Sequence, residues 1–292
     1  MSISIQAVAV QGLLGLNNGA FYALLSLGLA VIFGQLNIVN FSHGALYMLG
    51  AFLSLLAYTK FGIGYWTSLV IIPIGVALLG ILIEKTLLSR LYKFDHLYGL
   101  LFTFGMALMI QGTFTNYFGV AGTPYPAKPE IFSGSTNLGF MHFPTYRIWS
   151  IFLSLAVCFG TWYIIERTKI GSYLRAGTEN PELVRAFGVN VPLMITLTYG
   201  FGVGLAALSG VVAAPIYPVS SIMGAELIIV VFAVVVIGGM GSIMGSILTG
   251  LSLGLIEGVT KVIYPPASTT VIFFVMVIVL LFKPSGLFGK EC

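Results

Sequence analysis

Long apolar runs broken by short polar stretches set the pattern of this chain. A helix that crosses a bilayer needs about 20 mostly apolar residues. Runs of that kind fall at 8–33, 65–83, 97–118, 148–165 and 193–214. Shorter apolar runs fall at 45–59, 227–237, 246–263 and 269–282. The pattern predicts an all-α polytopic membrane protein, one domain over residues 1–292 with roughly 8–10 transmembrane or re-entrant helices.

Two polar breaks interrupt it, at 35–44 and in the glycine-rich run 238–250. Non-helical backbone inside a membrane must be buried in protein or line a wet cavity. Broken segments in the two halves of a chain point to a transport site and to an inverted repeat. Asn37, Asn40, Ser42, His43 and Gly44, with Gly239, Gly241 and Ser242, are therefore the candidate substrate-path residues. An alternative carries equal weight: the first four satisfy one another and the broken backbone. Asn17, Asn18, Gln111 and Asn116 either line a path or bond a neighbouring helix. Glu257 and Lys261 stand four apart in the favoured order for a helical pair, which predicts mutual neutralisation near the outer surface.

The most polar stretch is 166–192. Asn180 suits a helix N-cap, Pro181 the first helical position and Glu182 the first turn; Gly188 is the expected stop. The predicted helix, Pro181 to Phe187, puts Leu183, Val184 and Phe187 on one face and Glu182 and Arg185 on another. Two readings apply: a loop helix on the lipid surface, or a knob for a soluble partner's groove.

Charge orients the chain. Lys85, Arg90, Lys93, Arg167, Lys169, Arg175, Arg185, Lys283 and Lys290 lie on one side of the predicted spans, and Lys60, Lys128, Arg147 and Lys261 on the other. The positive-inside rule makes 166–192 and the C-terminus cytoplasmic and the N-terminus exterior. The proline-bearing loop 119–147 is then periplasmic.

Composition agrees with a membrane protein. Of 292 residues 58% are hydrophobic and 8% charged, against about 25% charged in soluble domains. The 36 glycines fit close helix approach in lipid. A net charge of +4 implies no nucleic-acid partner. Cys158 and Cys292 form no disulfide framework. Met1 to Gln11 lacks a basic region, so the first run reads as a span rather than a cleaved signal. No phosphate-loop motif is present, so any ATP must be bound by another polypeptide. No nucleophile, base or metal-ligand set accompanies His43, so no catalytic or metal site is expected.

Asn18-Gly-Ala-Phe-Tyr-Ala-Leu-Leu-Ser-Leu-Gly-Leu29 and Asn37-Ile-Val-Asn-Phe-Ser-His-Gly-Ala-Leu-Tyr-Met-Leu-Gly50 resemble the branched-chain amino-acid permeases of bacterial ATP-binding-cassette importers, H-type subunit. Arg175 to Asn190 resembles the coupling loop of that family, and Gly238 to Gly245 and Lys283 to Gly289 match its C-terminal half. The resemblance implies an inner-membrane, type II-like permease working by alternating access. Its implied partners are two cytoplasmic ATPases that hold ATP and Mg, a second permease subunit (M-type, or a second copy) and a periplasmic binding protein. Asn180, Pro181, Glu182, Leu183, Arg185, Phe187 and Gly188 become the expected ATPase-coupling residues. Ala45 stands where an acidic residue is frequent, and Glu226 near a position where many relatives carry lysine, so the ligand stays open. Urea or short-chain amides are the alternative within the class; a passive channel or an intramembrane enzyme lies outside it.

Overall fold

The computed structural model describes residues 4–36, 39–126, 134–137, 139 and 141–289; Asn37, Lys128 and Lys290 lie outside them. Twelve helices are present among these residues: α1 (Ile5–Leu36), α2 (Ser42–Phe61), α3 (Tyr65–Ile83), α4 (Ser89–Leu91), α5 (His96–Phe118), α6 (Thr145–Arg167), α7 (Lys169–Glu179), α8 (Pro181–Ala186), α9 (Val191–Ala213), α10 (Met223–Gly238), α11 (Ile243–Ile263) and α12 (Thr270–Phe282). Seven helical stretches are long and apolar enough to cross a membrane; α10 and α12 are shorter apolar helices. A two-stranded hairpin, Ser135–Asn137 with His142–Pro144, sits in the loop before α6.

α1 is the axis of the bundle, and glycine sets how closely the others approach it. Gly15 and Gly19 on α1 face Gly250, Gly254 and Gly258 on α11, each four residues from the next, and backbone meets backbone along the seam. Small residues at this spacing are a helix-packing device of membranes. A Cβ on Gly19 would stand 2.9 Å from the Gly250 carbonyl oxygen. With α9, α6 and α10 on its other sides, α1 is buried all round from Gly19 to Ile32.

The remaining contacts repeat. α1 packs on α11 as α9 packs on α3; α1 meets α10 as α9 meets α2; α2 meets α3 and α5 as α10 meets α11 and α12. α1 and α9 run antiparallel, with Leu205 among Ala23, Leu24 and Leu27, and Thr198 near Phe33. They cross at reciprocal glycines: a Cβ on Gly28 or on Gly202 would each lie 2.7 Å from the other's carbonyl oxygen. The chain is an inverted repeat, α1–α2–α3–α5 against α9–α10–α11–α12.

The repeat relates different breaks from those the sequence pairs. The partner of 39–44 is the turn 214–222 before α10, not the glycine run 238–250. Gly44 and Gly224, at the starts of α2 and α10, touch reciprocally through their backbones. Pro215 and Pro218 read as a plain loop turn because prolines are ordinary there. Gly238 to Ser242 instead forms the α10–α11 corner, where Gly239 and Gly241 take φ of 99° and 83°, a region open to glycine and costly to other residues. The C-terminal turn docks on that corner: Leu287 and Phe288 donate their N–H groups to the carbonyls of Ile237 and Gly238, at 2.8 and 3.1 Å.

Glu257 does not pair with Lys261. It is 6% exposed and accepts a 2.8 Å bond from the Tyr22 hydroxyl across the α1–α11 seam. Tight glycine packing turns it into the seam, where a phenol donor is nearer than the lysine.

Candidate functional site

The starts of α2 and α10 lie beside the middle of α1. His43 Nε2 is 3.0 Å from the Leu25 carbonyl oxygen. At α2 the polar side chains of Asn40 and Ser42 are engaged, while His43 Nδ1 is buried without a hydrogen-bond partner. Asn40 Oδ1 accepts from the Ser42 N–H and hydroxyl, and Asn40 Nδ2 donates to the Tyr199 hydroxyl at 3.2 Å. Thr103 of α5 accepts from the Phe41 N–H at 3.2 Å. Asn40, Ser42 and His43 are at most 1% exposed, and none of the three lines a cavity described below. This is the arrangement in which buried polar groups satisfy each other and a broken backbone.

At α10 the start is open. Ile222 gives no side-chain cap, and Gly224 and Ala225 line a groove of about 330 Å³. Its walls are Phe41, Ala45 and Met48 from the α2 side, Phe104, Leu108 and Gln111 from α5, and Ile228 and Ile229 from α10. Phe41 also packs against the rings of Phe104 and Phe232. A shallower depression of about 540 Å³ shares Leu108 and Gln111 and continues along α5 past Gly112, Thr115 and Asn116. α5 is barely covered, with 11% of its span window buried. Glu226, next to Ala225, is exposed too. Polar and ionised side chains on the open face of a span are costly in lipid. Of the sequence candidates, Gly44 lies at the edge of this site, while Gly241 and Ser242 line a different cavity at the α7 end. Asn37 is outside the described residues. Gln111 and Asn116, ambiguous in sequence, are the residues the fold brings to the groove and its extension. Gly224, Ala225 and Ile228 gave no signal beyond the preceding prolines.

The second element is the α7–α8 platform. α7, which the polar stretch alone did not predict, folds back under α6: Arg175 Nη1 donates to the Ile165 carbonyl at 2.9 Å and pairs with Glu166 at 3.3 Å. Asn180 Oδ1 caps α8 through the Leu183 N–H at 3.0 Å, and Gly188 ends it at φ 82°. α8 stops at Ala186, with Phe187 as its cap. Val184 turns inward, so the exposed apolar face is Leu183 (54% exposed) and Phe187 (79%) only. Beside the platform the chain turn after α3 buries Glu84, which accepts from Tyr92 and Thr196 at 2.9 and 2.6 Å. Burial, and then that carboxylate, hold the Tyr92 phenol well above its usual range, so it stays a donor.

An inverted repeat of membrane helices, with a lateral groove where two interrupted helices meet, defines a polytopic permease. The chain belongs to the branched-chain amino acid transport system / permease component family, whose model matches residues 13–281. It is 26% identical to the high-affinity branched-chain amino acid transport system permease protein BraD of Pseudomonas aeruginosa, over 94% of each chain. It is 27% identical to LivH of Escherichia coli K12, again over 94% of each. LivM of the same organism is 26% identical over 91% of this chain and 67% of its own length.

Proposed function

We propose that this chain is the H-type permease subunit of an ATP-driven importer and passes branched-chain or related hydrophobic amino acids along the groove where α2 and α10 begin. The groove carries the reading. Its apolar walls suit an aliphatic side chain, and the uncapped first turn of α10 presents the positive end of a helix dipole to a carboxylate. The LivH and BraD relatives, named for branched-chain amino acid transport, support the same substrate class over urea or small amides.

The open face of α5, with Gln111, Thr115 and Asn116, is covered by the second permease subunit, an M-type chain or another copy. Two ATPases, which carry ATP and Mg, receive α8 at Leu183 and Phe187. The α8 end is cytoplasmic and the N-terminus exterior, in line with the excess of lysine and arginine at that end. A periplasmic binding protein delivers substrate at the opposite end. ATP-driven closure pushes α8, and the halves of the repeat rock about the Gly28–Gly202 and Gly44–Gly224 crossings. The chain itself makes and breaks no bonds.

Reconstitution with the partner subunits tests this. ATP-dependent accumulation of leucine, competed by isoleucine and valine but not urea, is expected. Downhill flux without ATP would mean a channel, and chemical conversion of the solute an enzyme; either outcome sinks the reading.

A further inference from the structure

At the α7 end, away from the groove, a cavity of about 410 Å³ lies at the junction of six chain segments, α9 contributing Thr198. The end of α1 supplies Val31 and Gln35, the end of α6 Ile165 and Glu166, and α7 Leu174, Arg175, Thr178 and Glu179. The glycine corner adds Met240, Ser242 and Ile243, and the docked C-terminal turn adds Phe288. Its chemistry is divided. One wall is aliphatic and aromatic; the rim carries one guanidinium and two carboxylates. Arg175 is tied by Nη1 alone, to Ile165 and Glu166. Glu179 has no ion-pair partner among the described residues.

We propose that this cavity binds an α-amino acid with an aliphatic side chain, as the zwitterion, and senses the imported product. The free edge of the Arg175 guanidinium takes the carboxylate, in the geometry that favours arginine for that group. Glu179, with Gln35 and Thr178 beside it, takes the ammonium. The side chain lies on Val31, Ile165, Leu174 and Ile243. The volume is in the range of small-molecule sites. α7 leads straight into α8, so a ligand that bridges α7 to α1 and the glycine corner resists displacement of the platform. Bound product therefore slows coupling from inside. The sensing role rests on the transport function proposed above; the binding does not.

The test uses the full chain, purified in detergent, with Cys158→Ala and Cys292→Ala and a cysteine introduced as Met240→Cys, at an exposed lining position that takes no part in the proposed contacts. L-Leucine is expected to protect that cysteine from a bulky thiol reagent in a saturable way. 4-Methylpentanoate, which lacks the ammonium, and 3-methylbutylamine, which lacks the carboxylate, are each expected to need roughly threefold more, the effect of losing one ion pair at a partly exposed rim. Glu179→Gln weakens protection by leucine to a similar degree, while Ala225→Trp, which fills the distant groove, leaves it unchanged. Equal protection by 4-methylpentanoate overturns the zwitterion assignment. No protection, or protection abolished by Ala225→Trp and kept in Glu179→Gln, overturns the site. Uptake measured on the same chain after reconstitution separates the two proposals. Leucine uptake without protection removes only the cavity site, and protection without leucine uptake removes only the transport function.

Discussion

The repeat gives this protein two helix starts in equivalent positions, and they are finished in opposite ways. At α2 the break is closed: Asn40 holds the Ser42 amide and hydroxyl and reaches Tyr199, and Thr103 takes the Phe41 amide. At α10 the break is open. Neither N-cap residue, Phe41 or Ile222, has a side-chain cap, but at α10 no side chain among the described residues does what Asn40 does at α2, and the first turn borders an apolar groove. The start richer in polar residues has its described side-chain groups engaged within the chain, save the buried His43 Nδ1. Polarity inside a membrane is first a demand of the backbone. The place left for a ligand is where that demand has not been met from within.

The largest effect is expected where the two starts touch. A Cβ on Gly44 would meet Ile228 at 2.9 Å and the Gly224 backbone closer still. Gly224→Val drives a branched side chain into the same contact, where only backbone stands opposite. Overpacking of this kind costs about 1–3 kcal/mol or more, and here neither side has a rotamer to yield. The chain should fail to appear as a monodisperse species in size-exclusion chromatography. Normal yield and stability would show that the two starts are not a fixed crossing.

Next is Asn40→Leu, which probes the closed start. It leaves the Ser42 amide without its acceptor and strips the Asn40 contacts from the Ser42 and Tyr199 hydroxyls, and an unsatisfied buried group costs about 1–3 kcal/mol. Thermal unfolding should shift down, with uptake falling only in proportion to folded protein. Full stability with uptake abolished would instead place Asn40 on the path and reverse the comparison. Ala225→Trp probes the open start. The side chain enters free volume, so unfolding should be unchanged while uptake falls to background. Unchanged uptake would move the path elsewhere.

The spans were legible because apolar runs of that length have one solution in lipid: 65–83 matches Tyr65–Ile83, and 97–118 differs from His96–Phe118 by one residue. The closed start was legible as a polar break, because Asn40, Ser42 and His43 interrupt the hydrophobic pattern. The open start was not, because Gly224, Ala225 and Ile228 are ordinary membrane residues and acquire a role only through what packs opposite. The α1–α11 seam was recorded in the spacing of Gly15 and Gly19 and of Gly250, Gly254 and Gly258. A long stretch of the same composition hides that spacing unless the interval itself is tested. Glu257 shows the limit of local rules: a four-residue interval proposes Lys261, and a tertiary contact supplies Tyr22.

The smallest effect on the chain itself is expected at α8, the other open surface. Phe187 is 79% exposed, and its backbone N–H is already bonded to the Leu183 carbonyl. Phe187→Ala removes almost no internal contact, so the unfolding temperature of the isolated chain should not move. Under the proposed coupling role the ring would fill a groove of the ATPase, and burying a phenylalanine is worth about 1.5–3 kcal/mol. An aromatic anchor at the centre of a contact is its usual hot spot. The variant should therefore release the ATPases more readily in pull-down, or hydrolyse ATP without uptake. Gly188→Val should reach the same result by another route, since a β-branched side chain resists the φ of 82° at which Gly188 ends the helix. The pair separates anchor from geometry: Phe187→Ala removes the ring and keeps the helix end, while Gly188→Val keeps the ring and displaces it. If both variants bind the ATPases, hydrolyse ATP and transport at wild-type rates, α8 is a surface helix and the force enters the bundle elsewhere.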